Sequence, residues 1–309
     1  MSLESKLLDP GGTVLLYGTT PPRAGSPEEA VRFAAARLEE RVRGLPLDGL
    51  VVYDLQDESA RTSVPRPFPF TATVDPRLYS QLLSALTGKS AICYKCIGQM
   101  TEAEWAAWLA ETRARYDVRL LSIVGRPTSK GASHPMSLAR AFEIAAAHPA
   151  RPVLGAVAIA ERHAAASESR RMLEKIRLGC GYFVSQAVYD VEATLRLLAD
   201  YRRDCAEAGI APRRLVLTFT PCGRERTMAF IKWLGISVPE PVERAIFSAA
   251  DPLAKSVAIC RDHLRRILDE AGTGAPPLGV NVESVSIQRA EIEGSIALFH
   301  ALHEVLAGR

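Results

Sequence analysis

The sequence predicts an α/β protein, a (β/α)8 TIM barrel running as one domain over residues 1–309. Short apolar runs alternate with longer amphipathic segments from one end to the other, and eight such pairs fit the 309 residues. The hydrophobic content of 48% supplies a large core. No glycine-rich phosphate fingerprint follows the first apolar run, which counts against a doubly wound open sheet, the alternative for such alternation.

Strands are expected over residues 13–17, 50–54, 91–97, 118–124, 153–159, 182–186, 215–220 and 280–285. They are short apolar runs, and 182–185 is mostly apolar, as a parallel strand covered by helices should be. Helices are expected over 26–43, 76–86, 101–116, 136–147, 167–178, 191–208, 224–234 and 287–306, where apolar residues recur every three or four positions. Two segments break the rhythm. Residues 55–76, rich in Pro, Thr and charge, read as a long loop over the barrel mouth. Residues 239–271 hold extra helix before the last strand, including 252–270.

Composition excludes several functions. The net charge is only +3, and the arginine pairs Arg170 and Arg171, Arg213 and Arg214, and Arg265 and Arg266 lie among carboxylates. They read as solvated helix faces, so no nucleic-acid partner is expected. No apolar run approaches the roughly 20 residues that cross a bilayer, and the amino terminus lacks a signal-peptide pattern. A cytoplasmic protein without a membrane partner follows, with homo-oligomerisation open. The six cysteines are scattered. Cys93 and Cys96, three apart on a strand, face opposite ways and make no metal or redox pair. No Ser, His and Asp set has nucleophile-elbow spacing and no cluster has metal-ligand spacing, so hydrolase and metalloenzyme chemistry is disfavoured.

In such a barrel, polar groups at the carboxyl ends of the strands converge on one pocket. Here they are Gly18 and Thr19, Asp54, Arg126, Glu161 and His163, Gln186, Thr220 and Glu283. Gly179 and Gly181 can end a helix just before the strand that delivers Gln186. Alternation in the last strand puts Val280, Val282 and Ser284 on one face and Asn281, Glu283 and Val285 on the other. The apolar face belongs to the outer helices, which directs Asn281 and Glu283 inward. A desolvated carboxylate there is either a general acid for neutral pH or the partner of an arginine such as Arg289. Glu168, Arg171 and Lys175 recur along one side of a helix, as a surface ion-pair ladder or as an edge that reaches a phosphate. His163 is a loop hydrogen-bonding group or a catalyst.

These residues carry a resemblance. Residues 175–190, KIRLGCGYFVSQAVYD, resemble the lysine, glycine-turn, Thr-Gln and aromatic-Asp stretch of methylenetetrahydrofolate reductases, with Ser185 for the threonine. YGTTPPR at 17–23 resembles that family's Phe-Glu-Phe-Phe-Pro-Pro-Arg opening. Glu161 and His163 in AERH match its Tyr-Pro-Glu-x-His stretch, and residues 283–289 occupy the place of its Tyr-Thr-Leu-Asn-Arg run. The anchors keep the family's order over nearly the whole chain.

The resemblance implies a (β/α)8 barrel that reduces 5,10-methylenetetrahydrofolate to 5-methyltetrahydrofolate with NAD(P)H, usually through bound FAD. It implies that Gln186 holds the pterin, that Arg289 lies near the folate, and that Lys175 and His163 touch the flavin's phosphate or ribityl region. Asp54 and Arg126 join the substrate site as strand-end groups, and Glu161, Glu168 and Arg171 are further cofactor candidates. The chain also departs from the family. Gly18 stands where the family places its catalytic glutamate, Gly125, Arg126 and Pro127 replace Arg-Gly-Asp, Tyr94 replaces a histidine, and Ile159 and Ala160 replace Tyr-Pro. The chain is more similar to the divergent actinobacterial branch, which carries a glutamate in the last strand and in which hydride can pass without flavin; LTFTPCGRERTMAFIKWL at 217–234 is also similar to that branch. Strand 8 pairs with strand 1 in a closed barrel, so Glu283 is expected beside Gly18 as the proton donor. Two alternatives stay open: an enzyme for another pterin or one-carbon carrier, and a folate-binding partner protein without reductase activity.

Overall fold

The computed structural model describes residues 1–57, 62–125 and 135–308. Eight parallel strands close into a barrel: β1 (Leu15–Thr19), β2 (Gly49–Val52), β3 (Ala91–Cys96), β4 (Leu120–Val124), β5 (Val153–Ala158), β6 (Cys180–Ala187), β7 (Arg214–Phe219) and β8 (Leu278–Glu283). β8 pairs with β1, which rules out the open sheet. The outer helices are α2 (Glu28–Val42), α3 (Pro76–Thr87), α4 (Glu102–Tyr116), α5 (Leu138–Ala147), α7 (Glu168–Arg177), α8 (Val191–Glu207), α9 (Glu225–Trp233) and α12 (Arg289–Ala307). Three further helices were not separated in the sequence pattern: α1 (Leu3–Leu8), α6 (His163–Ala166) and α10 (Glu240–Phe247). The extra helix expected before the last strand is α11 (Pro252–Ala271).

Local chemistry explains where the helices start. Asp75, Ser137, Asp190 and Asp251 each accept a backbone N–H in the first turn of α3, α5, α8 and α11. Thr101 and Glu104 form a reciprocal capping box on α4. At the end of α7 only Gly179 takes a left-handed backbone, at φ 98°. Gly181 lies inside β6, where a Cβ would sit 2.7 Å from Leu8 of α1, so its smallness serves packing rather than the turn.

Strand parity divides the core. Outward residues such as Tyr17, Leu50, Phe183, Leu217, Val280 and Val282 pack under the helices. Inward residues such as Leu16, Val51, Ile92, Tyr94, Tyr182 and Val216 fill the barrel. Tyr182 lies across β5, its hydroxyl donating to Leu121 O at 2.9 Å. A Cβ on Gly155 would come within 2.3 Å of that ring. Gly155→Ala should therefore cost about 3 kcal/mol, the upper range of overpacking, and chemical denaturation will read the loss.

The amino-terminal floor is plugged by α1, whose Leu3 and Leu7 join the interior cluster. Arg214, expected on a solvated face, is instead 2% exposed at the start of β7. Its guanidinium donates to the carbonyls of Gly12 at 3.1 Å and Gly11 at 3.0 Å, and to those of Asp9 and Leu278. A fork of donors closes the floor by satisfying the carbonyls that turn back from α1. The other expected faces hold: Arg170, Arg171, Arg265 and Arg266 are exposed.

At the opposite end the long loop after β2 is strapped to α9. Trp233 Nε1 donates to Val64 O at 2.9 Å, Arg226 donates to Pro67 O at 2.7 Å, and the Arg66 guanidinium lies 5.2 Å from both the Phe230 and Trp233 rings. The carboxyl-terminal face is thus bridged between the sectors of β2 and β7. α9 and α10 pack over the same end, where Ala187, Tyr189, Met228, Ile231 and Ile246 share a small apolar cluster.

Candidate active site

The last strand carries the sharpest feature. Asn281 is fully buried in the barrel, and its Nδ2 donates to Thr218 Oγ1 at 3.3 Å and to Tyr53 Oη at 3.0 Å. Glu283, two residues on, shares that inward face and pairs in register with Gly18 of β1. Its Cβ and the Tyr53 ring both border the space over Gly18, and the residue is part-buried at the mouth end of the strand. Desolvation pushes it up to about 7, against the opposing pull of Tyr53. A carboxyl at that value exchanges a proton at neutral pH. The alternative pairing does not form: Arg289 heads α12 with its side chain 91% exposed and bonds Glu293 at 2.6 Å. Six residues past the end of β8, Arg289 stands in solvent rather than in the barrel.

Gln186 lies in β6 next to a break in register between Val184 and Ala187. Ser185 spans the break, its hydroxyl accepting from Thr218 N at 2.9 Å and donating to Gln186 O at 2.6 Å. The Gln186 amide donates to Leu234 O at 3.4 Å, a weak bond that a ligand can replace. Glu161, in a 3-10 turn after β5, accepts from Ser237 N at 3.2 Å, and burial raises its carboxyl above the ordinary value. Glu161 and Gln186 line one crevice of about 10 Å³, room for roughly one water. A pterin-sized ligand would have to meet them from the mouth.

The remaining candidates are spread more widely. Asp54 accepts from Cys96 N at 2.9 Å and faces Lys95 at 3.4 Å, which ties the ends of β2 and β3 together. His163 bonds Asp200 of α8 at 2.7 Å and so turns toward the helix layer. Glu168 and Lys175 do not form a surface ladder. Glu168 is 2% exposed, and Lys175 Nζ donates to Val157 O at 2.9 Å while lying 3.7 Å from Glu168. Desolvation lowers the Lys175 ammonium below its usual range, opposed by Glu168. Arg171, between them in sequence, is exposed. Arg126 lies outside the described residues. Cys93 and Cys96 keep separate surroundings, each donating to a backbone carbonyl, of Tyr94 and Gly125 respectively.

The structure brings Tyr53 beside Glu283 and Thr218 to Asn281, and neither stood out in the sequence. Tyr53 follows a strand that is buried on both faces, so no alternation marked its direction. The usable signal was Gly18: with no side chain on β1, the inward residues of β2 and β8 can approach each other.

A barrel protein from Clostridium thermocellum, described as an uncharacterized protein that binds two copies of 5-methyl-5,6,7,8-tetrahydrofolic acid, matches the fold with a TM-score of 0.82. The two sequences are 33% identical over 99% of each chain. The chain belongs to the family of that protein. No family model matches the chain, and no curated protein is similar enough to match it. Among the described residues no helix is long and apolar enough to cross a membrane, and no group of three His, Cys, Asp or Glu side chains is placed to hold a metal.

Proposed function

We propose that this protein binds a reduced folate at the carboxyl-terminal mouth of its barrel and reduces 5,10-methylenetetrahydrofolate to 5-methyltetrahydrofolate with NAD(P)H, as a divergent methylenetetrahydrofolate reductase. The observation that carries the reading is Glu283, a part-buried carboxyl pushed up to about 7 on the inward face of the last strand, opposite Gly18. The clostridial relative, named for binding 5-methyltetrahydrofolate, supports the ligand class. Gln186 holds the pterin by its amide, exchanging its long bond to Leu234 O for the ligand.

In this mechanism the protonated Glu283 gives its proton to the folate nitrogen that leaves the methylene bridge. The bridge opens to an iminium on the other nitrogen, and hydride from the nicotinamide adds to the iminium carbon. One proton and one hydride are consumed, so 5-methyltetrahydrofolate and oxidised nucleotide balance the reaction, and solvent reprotonates Glu283. The barrel's part is to hold donor and acceptor carbons about 3–3.5 Å apart away from water.

Lys175 and Glu168, two of the residues weighed for a cofactor, are poorly placed to hold a flavin phosphate. Lys175 and Glu168 are occupied with each other and with the backbone of β5 and the residue after it, beside the outward ring of Phe183, and His163 is held by Asp200. Lys175 has no free donor to offer a phosphate, whereas Arg171 is exposed and the buried Nδ1 of His163 has no partner among the described residues. With the Arg-Gly-Asp and Tyr-Pro stretches of the resembling family also replaced, we favour direct hydride transfer.

Purified protein should show no flavin absorbance, and should oxidise NADH or NADPH in step with formation of 5-methyltetrahydrofolate. Tight 5-methyltetrahydrofolate binding with no nucleotide oxidation would instead make it a folate-binding partner protein in one-carbon transfer, the reading that the relative's description alone favours.

A further inference from the structure

Tyr53 sits just after β2 and Glu283 ends β8, and β1 runs between them. They meet because position 18 on β1 is glycine. A Cβ there would stand 3.0 Å from both Cε2 and Oη of Tyr53 and 3.1 Å from Cβ of Glu283, tighter than such contacts normally are. The passage over β1 is therefore open only to a residue without a side chain. The Tyr53 ring is held from its other side by Tyr94, edge to face with centroids 4.8 Å apart.

The hydrogen-bond directions follow from the donor inventory. Asn281 Nδ2 can only donate, so the Tyr53 oxygen accepts from it, and the phenol hydrogen is left for Glu283. Thr218 Oγ1 accepts the other Nδ2 hydrogen and fixes the amide. We infer that Tyr53 is the positioning residue of Glu283, reaching it over Gly18 and donating to one carboxyl oxygen, with Thr218 and Asn281 setting the direction of that bond. This deepens the reductase reading, which supplies Glu283 with its substrate. One carboxyl oxygen is then committed to Tyr53, and the acid's own proton resides on the other, the oxygen left to face a ligand.

Among the described residues, the titratable groups that act on or feel Glu283 are Tyr17 of β1, Tyr53 and Tyr94 of β3. All three are neutral near pH 7, because burial raises each phenol. The Tyr53 bond can thus be read directly in the carboxyl's own titration. Protein labelled with ¹³C at glutamate carboxyls is titrated by NMR without ligand, and the Glu283 signal is identified by its loss in Glu283→Gln. Tyr53→Phe removes one oxygen and should raise the carboxyl's proton affinity about tenfold, since a bond that favours the carboxylate is gone. Gly18→Ala should move it the same way by pushing the pair apart, and Tyr53→Phe carries the test if that variant does not fold. In turnover assays the Tyr53→Phe pH profile should shift upward by the same amount, with kcat affected more than KM. An unchanged or lowered carboxyl affinity in folded Tyr53→Phe overturns the inference. A tenfold rise in a protein that never oxidises NAD(P)H keeps the Tyr53 assignment and sinks the reductase reading.

Discussion

Glu283→Gln is expected to lower turnover by about 10²- to 10⁴-fold, the range that general acid catalysis contributes, with tetrahydrofolate affinity largely kept. Gln matches the shape of the acid and can still accept from Tyr53, but it has no proton to transfer. Loss confined to kcat identifies an interaction made at the transition state, whereas a rise in KM alone would mean that Glu283 only binds. The native rate should fall as pH rises through about 7, because the working form is the protonated one. The variant's residual rate should lack that limb. Stability also falls as pH rises, but over a lower window. Burial raises the folded carboxyl from 4.5 to about 7, so between those values the folded state binds the extra proton, and stability drops as pH rises through that window. At about 1.4 kcal/mol per unit, Glu283→Gln should gain up to about 3 kcal/mol at pH 8 and almost nothing below pH 4. Urea melts at the two pH values, run beside steady-state kinetics, separate a catalytic acid from a structural one.

The barrel was legible because its signal repeats: each of the eight strands lies within two residues of its expected ends, from 13–17 against Leu15–Thr19 to 280–285 against Leu278–Glu283. Glu283 was legible because a period of two in β8 contrasts apolar Val280 and Val282 with polar Asn281 and Glu283. Tyr53 was hidden by a short strand buried on both faces, and by the fact that its partner depends on a side chain that is absent. The floor was hidden because α1 is six residues long, too short to show a periodicity, and without it nothing marked Arg214 as buried. Glu168 and Lys175 were partly legible. Their seven-residue spacing puts them on one helix face, but only the neighbours Met172, Leu173 and Ile176, all buried, show that this face looks inward.

Those two residues set the second large effect. Removing either partner alone, by Glu168→Gln or Lys175→Met, should cost about 3 kcal/mol, because the remaining ion is left unpaired in largely buried surroundings. Glu168 also accepts from Ile159 N at 3.4 Å, so its loss disturbs the chain leaving β5 toward Glu161. The double variant should recover most of the loss, since a neutral amide and a thioether of matching length need no counter-charge; the recovery is the coupling energy of the pair. Denaturant unfolding of the four proteins closes that cycle. The same set decides between the two roles the sequence left open for this helix. If the pair serves packing alone, the refolded double variant keeps its affinity for NAD(P)H. If Lys175 meets a cofactor phosphate, the double variant is stable yet loses nucleotide or flavin binding by a factor of ten or more, as expected when a charge-assisted bond is removed. The bonds of Lys175 to Val157 O and Glu168, on the side of β6 that carries Phe183 toward the helices, favour the first outcome.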